Sequence, residues 1–410
     1  MAIISAMAGL VKSGLVKSGL VKSGLVKSGL VKSGWQLSAG RGLVIGALLM
    51  LAACANPDAY PAVGDDGGPV PPDYRILAGW ARDNHAEAVP ALLLSCKYLQ
   101  ALGANREIGT GGRAGRVSDW QPACAAARSL PPGNGAAARR YFETWFTPMP
   151  LGGGDSQEGL FTGYYEGELS GSMTRSVRYN VPIYQMPGKV HGRSMPTRGE
   201  VAQGALAGRG LELLWADDAV EAFIMEIQGS GRVRMPDGSL IGLNYAGQNG
   251  HKYFPIGRHL IEQGVATAEQ MNMHVIRSWL HQHPDQAQTV MNLNPSYIFF
   301  RLRNSGGEPR GASSELTPRR SLAVDPSHVP LGVPIWLDLH DVPIAGGLLR
   351  TLVLAQDTGG AIKGPVRGDF FWGHGSEAAN AASVMKARGR YFMLVPRPVA
   401  QRLQTTANRQ

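Results

Sequence analysis

The chain has 410 residues and a formal charge of +9, from 40 Lys and Arg against 31 Asp and Glu. Hydrophobic residues make up 44% of it, which excludes a disordered polar chain, and no apolar run reaches the ~20 residues that a bilayer-spanning helix needs. The 54 glycines are about twice the usual ~7% share and follow no collagen period, so they indicate many turns, as in β-rich folds.

The positive charge belongs mainly to the N-terminus. Residues 1–53 hold five Lys, one Arg and no acid, which leaves 34 basic against 31 acidic residues in the rest of the chain. A nucleic-acid-binding domain keeps its basic excess in the folded part, so that class is excluded as a partner. Residues 10–34 are five tandem copies of Leu-Val-Lys-Ser-Gly. Their period of five builds no helix or strand face, and we interpret them as duplicated coding DNA or a start codon placed too early.

A secretion signal follows the repeats. Arg41, the apolar run Leu43–Ala53 and then Cys54 are typical of a signal peptide, so residues 1–53 are predicted to be removed. The end of the run, Leu51-Ala52-Ala53-Cys54, resembles a bacterial lipobox, which implies lipidation of Cys54. An ordinary signal followed by a chance cysteine is the alternative. Ala55 at the next position resembles outer-membrane sorting, so the expected location is the periplasmic face of the outer membrane.

Helices are predicted before residue 150. Residues 54–75 form a Pro- and Gly-rich linker, and apolar residues at helical spacing then predict a helix from Val89 to about Gln100. Ser118 with Gln121 forms a candidate capping box. A third amphipathic face carries aromatic residues that we assign to the core: Tyr141, Phe142, Trp145 and Phe146.

The two remaining cysteines, Cys96 and Cys124, form an even pair. In an oxidising compartment such a pair indicates a disulfide, and two buried thiols are the alternative.

From Gly159 onward the pattern changes to short β-type runs separated by Gly and Pro, which is typical of barrels or sandwiches. Two helices interrupt the strands: one follows a Thr267–Gln270 cap and ends before Pro284, and one is predicted over Ser376–Arg388. The predicted strands are Val181–Gln185, Ala222–Gln228, Tyr297–Leu302, Ser321–Val324, Val333–Leu337, Leu352–Gln356 and Tyr391–Val395.

The segment from Asp357 to Gly373 is the densest in residues that could carry chemistry. A strand leads into Asp357, a glycine-rich turn follows, and Asp369 precedes the aromatic residues Phe370–Trp372. Carboxyl groups beside glycines suit a site where a ligand approaches the backbone closely. Two ordinary turn-forming aspartates are the alternative.

Together with other segments, this stretch resembles the membrane-bound lytic murein transglycosylase A family over about residues 158–396. The segments that carry the resemblance, in chain order, are Phe161–Glu166, Tyr179–Tyr184, Ile227–Arg232, Tyr245–Gly250, Asn294–Tyr297, Arg320–Pro326 and Asp357–Gly373.

The resemblance implies a mainly β fold with peripheral helices. One domain, residues 76–165 plus 306–410, would be a double-psi β-barrel with the N-terminal helices, and the other, residues 166–305, would be an inserted β-rich substrate domain. A groove between them would hold the glycan. The activity implied is cleavage of the β-1,4 bond between N-acetylmuramic acid and N-acetylglucosamine, with a 1,6-anhydro product and no cofactor.

One carboxyl group suffices for this chemistry. Ordinary glycosidases need two, because water must be activated or the sugar carbon attacked. Here the nucleophile is the C6 hydroxyl of the sugar itself, and tethered groups reach effective molarities of about 10⁵ M or more. The family's catalytic acid falls on Asp369, and Asp357 is assigned a supporting role, with a structural turn as the alternative. Phe370–Trp372 would raise the pKa of Asp369, whereas Lys363 and Arg367 would lower it if close.

Seven polar or small residues are candidates for lining the groove, because amides, hydroxyls and aromatic faces recognise sugars. The alternative for part of this set is turn or core structure. The candidates are Thr162, Gly163, Tyr164, Gln228, Ser230, Tyr245 and Asn249.

Two other functions remain open: a peptidoglycan hydrolase using Asp369 with Asp357 or Glu377, and a non-catalytic glycan-binding lipoprotein. Murein glycan strands are the expected partner, the outer membrane is expected through the lipid anchor, and cell-wall synthase complexes stay open as partners. No metal site is predicted, since His281 and His283 have no evident third ligand.

Overall fold

The computed structural model describes residues 72–151, 158–188, 195–303, 307–344 and 346–407. The predicted signal peptide, the repeats, the lipidation site Cys54 and most of the linker lie outside these residues. No helix in the described part of the chain has the length and apolar character needed to cross a membrane.

Helices in the first third of the chain pack on one side of the barrel described below. The first, α1, places Cys96 beside Cys124 of α2, and the two form a disulfide with their Cα atoms 5.6 Å apart. Tyr141, Phe142 and Phe146 are buried, as their assignment to the core predicts. The helices are α1 Val89–Ala101, α2 Val117–Ala127, α3 Gly135–Trp145, α4 Arg198–Ala202, α5 Ala219–Gln228, α6 Ile256–Glu262, α7 Met273–Gln282, α8 Pro284–Asn292, α9 Gly375–Val384 and α10 Arg397–Ala407.

In the described residues, twelve strands form one continuous hydrogen-bonded network, in which a barrel and a second sheet are joined through one long strand. The strands are β1 Phe146–Pro150, β2 Gly159–Ser172, β3 Val181–Tyr184, β4 Glu212–Ala216, β5 Ser230–Arg234, β6 Leu240–Gln248, β7 Ile298–Arg303, β8 Ser321–Val324, β9 Pro334–Val342, β10 Gly347–Thr358, β11 Arg367–His374 and β12 Lys386–Pro396. The predicted fold class, mainly β with peripheral helices, is confirmed.

Six of these strands close into a barrel, in the order β12-β9-β10-β8-β11-β2, with β2 returning to β12. Two of the neighbouring pairs, β8 with β10 and β2 with β11, are parallel. Closure removes free strand edges, and the barrel interior joins the N-terminal helices in the largest apolar core of the molecule.

Strand β2 connects the barrel to a second sheet. Its pairing with β11 ends at Glu166, opposite His374, and its pairing with β5 begins at Gly167, opposite Gly231. The change of partner therefore falls next to the predicted boundary between residues 165 and 166. Strands β5, β6 and β7 continue the second sheet, and helices α5–α8 pack around a separate apolar cluster.

One predicted strand is wrong: Ala222–Gln228 belongs to helix α5. Asp218 caps this helix by accepting hydrogen bonds from the backbone N–H groups of Val220 and Glu221. Every residue from Ala222 to Gln228 is buried, so this part of the helix has no exposed face. A short apolar run without a polar face cannot be assigned to helix or strand by its period.

Three predicted helix boundaries also shift. Helix α2 begins at Val117, and it is Asp119 that accepts from the N–H of Arg116. Thr267 and Gln270 bond to each other in a turn, while Asn272 caps α7. Helix α9 ends at Val384 because the chain from Lys386 onward pairs with β2 and β9.

Candidate active site

A cavity of about 1510 Å³ lies where the barrel meets the second sheet. Its walls come from β2, the α5–β5 turn and β6, and from the end of β10 with the turn that follows it. Gly229 ends α5 with a φ of 81°, so the chain turns directly into β5 and presents Gln228 and Ser230 to the cavity.

Asp357 lies on the cavity wall at the end of β10. A bulge between Ala355 and Asp357 re-aims the strand there. Its Oδ1 accepts from the N–H groups of Thr358 and Ala312, at 2.8 and 3.0 Å, and its Oδ2 accepts from the Tyr164 hydroxyl at 3.0 Å. Burial raises the pKa of Asp357 to about 6, although these three hydrogen bonds favour the charged form.

Asp369 lies on β11 and is only 1% exposed. The Thr162 hydroxyl donates to its Oδ1 at 2.6 Å. Its Oδ2 is buried and has no hydrogen-bond partner among the described residues. An ionised carboxylate with one buried oxygen unpaired is costly, and burial is the main cause that raises the pKa of Asp369.

The two aspartates lie at the same level of the barrel. Asp357 of β10 and Asp369 of β11 are both in register with Ala323 of β8, which runs between them. Two strand spacings place their Cα atoms roughly 10 Å apart. The tyrosine that bonds Asp357 is also affected by both charges, because burial, Asp357 and Asp369 all raise the pKa of Tyr164.

The nearest cation does not reverse the pKa shift of Asp369. Arg367 is buried and lowers the pKa of Asp369, but the effect of burial is larger. Its guanidinium donates to the carbonyl oxygens of Leu160 and Gly368 and, at 2.8 Å, to Thr162 Oγ1. Thr162 therefore stands between the arginine and the carboxyl. The other predicted cation, Lys363, lowers the pKa of Asp325 instead.

Four of the seven predicted groove residues do line the cavity: Tyr164, Gln228, Ser230 and Tyr245. Tyr245 is 44% exposed, beside a bulge in β6, and offers a free aromatic face. Gln228 is more constrained, because its Oε1 accepts from the N–H of Tyr165 at 3.3 Å.

The other three do not line it. The Thr162 hydroxyl is buried, donates its proton to Asp369 and accepts a hydrogen bond from Arg367. Gly163 makes room for Trp372, since a Cβ there would lie 2.7 Å from the indole Nε1. The Asn249 amide donates to the carbonyl oxygens of Pro196 and Pro295 and accepts from the N–H of Tyr297, so it holds loops together. Asp369 is buried behind the residues that line the cavity and does not itself line it.

Five cations that were not predicted from the sequence also line the cavity: Arg198, Lys252, Arg258, Arg301 and Arg310. They are spread over 113 positions of the chain without a common motif, so the sequence alone gives no indication that the fold brings them together.

A single glutamate and a cluster of two glutamates and a histidine lie outside this pair of aspartates. Glu377 is exposed in the first turn of α9 and does not line the cavity. Glu166, Glu308 and His374 offer ligand atoms within 4.8 Å of one another. Glu166, however, is already held by Arg232 and Arg303, at 2.6 and 2.5 Å, which makes this cluster an ion-pair network between strands.

Comparison with known proteins identifies two segments of the chain. Residues 160–301 match the MltA specific insert domain and residues 320–395 match the 3D domain. A membrane-bound lytic murein transglycosylase A of Vibrio cholerae is 36% identical over 254 residues, which span 60% of this chain and 67% of the relative.

Solved structures agree with this placement. A membrane-bound lytic murein transglycosylase from Agrobacterium tumefaciens is 31% identical, with a TM-score of 0.71 over 80% of this chain and 98% of the other. An Escherichia coli protein solved with bound chitohexaose is 29% identical, with a TM-score of 0.60 over 75% of this chain and 90% of the other.

Proposed function

Because the chain belongs to the membrane-bound lytic murein transglycosylase A family, we propose that its cavity binds a murein glycan strand and that the aspartate pair cuts it. The protein is a lytic transglycosylase: it cleaves the β-1,4 bond between N-acetylmuramic acid and N-acetylglucosamine and leaves 1,6-anhydro ends. The observation that carries the assignment to this site is the pair of carboxyl groups with raised pKa at one level of the barrel beside the cavity.

Asp369 is the proposed acid and then base. As a neutral carboxylic acid it gives its proton to the glycosidic oxygen while the bond from the sugar C1 to that oxygen breaks. The C6 hydroxyl of the same sugar attacks C1, and the resulting carboxylate of Asp369 takes the hydroxyl proton. The new C1–O6 bond closes the anhydro ring, Asp369 is neutral again, and no water enters the products.

Burial supports Asp369 in this role, because it raises the pKa of this carboxyl. Its Oδ2 is buried without a partner, so a proton there removes the cost of an unpaired charge. Its 1% exposure means that the carboxyl must come into contact with the glycan as the complex forms. Catalytic hydrogen bonds commonly tighten only in the complex.

Asp357 is proposed as the supporting carboxylate. It already faces the cavity, and its pKa of about 6 leaves it mostly ionised at neutral pH. A negative charge on the wall stabilises the positive charge that develops on the sugar ring. The charge of Asp369 raises the pKa of Asp357, and because the repulsion between two like charges is mutual, the Asp357 carboxylate also disfavours ionisation of Asp369.

Sugar recognition is assigned to the four predicted groove residues that line the cavity, Tyr164, Gln228, Ser230 and Tyr245. Tyr245 presents an exposed ring on which a pyranose face can stack, and Ser230 and Gln228 supply a hydroxyl and an amide. The Tyr164 hydroxyl stays protonated, because its pKa is raised, and orients Asp357.

The decisive experiment compares wild type, Asp369→Asn and Asp357→Asn on purified murein, with product mass spectrometry and chitohexaose binding. We expect anhydro ends from wild type, a loss of about 10³-fold or more in Asp369→Asn because proton transfer fails, and a smaller loss in Asp357→Asn. Both variants should keep the fold and bind chitohexaose.

Three other results would overturn parts of the proposal. Reducing ends that carry an added water would indicate a hydrolase. Binding without soluble products would indicate a glycan-binding protein. Full activity in Asp369→Asn together with complete loss of activity in Asp357→Asn would show that Asp357, and not Asp369, is the catalytic acid.

We also propose that the protein is a lipoprotein of the outer membrane, anchored through Cys54 and facing the periplasm. The lipobox-like segment supports this, and the relatives carry the name membrane-bound. The disulfide in the N-terminal helices is consistent with an oxidising compartment.

A further inference from the structure

The cavity wall carries more positive charge than a neutral glycan needs. Five cations line it, against two acids, Glu226 and Asp357. Glu226 is already neutralised by Arg198 in a buried two-pronged ion pair, at 2.9 and 3.0 Å. Arg198 also donates to the carbonyl oxygens of Asn294 and Ser296, so its charge holds the wall together.

Four cations on the wall remain without an acidic partner among the described residues: Lys252, Arg258, Arg301 and Arg310. Lys252, Arg301 and Arg310 are exposed to the cavity, and Arg258 is half-buried at the start of α6. We call these four the cationic wall. Beyond residue 53 the chain has only three more basic than acidic residues, so this concentration of charge is local.

Unsatisfied polar atoms lie in the same wall. The Nε of Arg258 and the hydroxyl of Tyr253 are buried and have no hydrogen-bond partner among the residues that the structure describes. Both residues line the cavity. A buried donor without an acceptor is unfavourable, and an anion that bound against this part of the wall and displaced the atoms covering these two groups would supply the acceptors they lack.

From this arrangement we infer that the cationic wall binds carboxylates on the peptide stems of murein and that the enzyme prefers stem-bearing strands to bare glycan. This inference rests on the proposed function of the cavity. N-acetylated sugars such as chitohexaose are neutral, whereas each stem attached to N-acetylmuramic acid carries free carboxylates. Arginine binds a carboxylate with two parallel hydrogen bonds, which makes it suited to this task.

The test measures binding and cleavage of two substrates by the full protein: murein strands with stems, and the same strands after an amidase has removed the stems and the lactyl carboxylates left on N-acetylmuramic acid have been converted to neutral amides. Binding is measured in the Asp369→Asn background, so that no turnover occurs. We expect the intact wall to bind stem-bearing strands about tenfold more tightly than bare strands, and added salt to reduce this difference.

Two double variants test the wall. Arg258→Gln with Arg301→Gln should abolish most of the preference, and Lys252→Gln with Arg301→Gln, which changes only exposed side chains, should reduce it without affecting the fold. Both should change binding of bare strands less than twofold. The matched control is Lys97→Gln with Arg209→Gln, two exposed cations outside the cavity, which should keep the full preference.

Equal binding of the two substrates by the intact wall, or an equal loss for both in the wall variants, would overturn the inference. Failure of the proposed function looks different. In that case wild type would release no anhydro products from either substrate, while the binding titrations would still decide whether the wall recognises stems.

Discussion

At the residue scale, the site depends on the interactions of Asp369 with two neighbours, Thr162, which donates a hydrogen bond to it, and Asp357, which repels its charged form. Burial raises the pKa of both carboxyl groups, and the Thr162 hydroxyl opposes this for Asp369 by stabilising its charged form. Two interacting carboxyl groups titrate as a unit. Removing the charge of Asp357 should therefore lower the pKa of Asp369, and removing the Thr162 hydroxyl should raise it. The pH dependence of the reaction should shift in the same two directions.

Asp357→Asn should shift the alkaline limb of the kcat/KM profile to lower pH, by about 0.5–1 pH unit. The variant removes a negative charge that disfavours ionisation of Asp369, so Asp369 loses its proton at lower pH. The measurement is the initial rate on murein between pH 4 and 9. An unchanged limb would mean that Asp357 does not act on the catalytic proton.

Thr162→Val should shift the same limb to higher pH by a similar amount. Losing the 2.6 Å hydrogen bond disfavours the carboxylate and raises the pKa of Asp369 further. Thr144→Val on the exposed side of α3 is the matched control and should leave the profile unchanged. If both threonine variants gave the wild-type profile, Thr162 would have only a structural role.

At the element scale, strand β8 sets the site. It has four residues and pairs with β10 on one side and β11 on the other, which puts both aspartates opposite Ala323. Gln356, one residue before Asp357, donates to Ala91 and Ser95 of α1 and accepts from Ser321 at the start of β8. The end of β10 is thereby fixed on both sides before Asp357 reaches the cavity.

Close packing between β2, β11 and α9 predicts that Gly163→Ala destabilises the protein by about 1–3 kcal/mol, through overpacking. The added Cβ would meet the Trp372 indole at 2.7 Å and the Ala382 Cα at 2.9 Å. Denaturant unfolding gives the free-energy difference. Gly188→Ala, where no atom lies within 4 Å of the new Cβ, is the control. Equal stability of the two variants would show that β2 and α9 separate at little cost.

At the scale of the whole molecule, the N-terminal helices are part of the catalytic half. Arg320, at the start of β8, binds Asp83 and Glu87 before α1, each at 2.8 Å, and the disulfide joins α1 to α2 behind them. The helices thus hold the barrel strands that carry the aspartates, at a distance from the cavity.

The disulfide closes a loop between positions 28 residues apart. In the chain-entropy model such a loop stabilises the fold by about 3–4 kcal/mol. Cys96→Ala with Cys124→Ala should therefore lower the unfolding midpoint, while leaving kcat/KM at 25 °C within about twofold. Wild type with a strong reductant should melt like the variant. A midpoint insensitive to both would show that the helices are held by packing alone.

Local features of the chain were sufficient for the early helices and for selecting the Asp357–Gly373 segment as a candidate site. The boundary near residue 165 and the role of Asp369 came from the family resemblance and stay predictions. Amphipathic periodicity around Val89–Gln100 reports burial on one side, and glycines beside carboxyl groups report a turn where a ligand approaches. Several short segments, in their order along the chain, carried the family resemblance.

Only the tertiary structure decided which polar groups face the cavity. Asn249 and Thr162 look like sugar ligands in the sequence, yet their hydrogen bonds are used by distant backbone and side chains. The Ala222–Gln228 run is a helix buried on every side, so its period in the sequence could not distinguish it from a strand. The cationic wall is assembled from separate elements. Burial and hydrogen-bond partners depend on contacts between residues far apart in the chain, and a sequence lists neighbours along one dimension only.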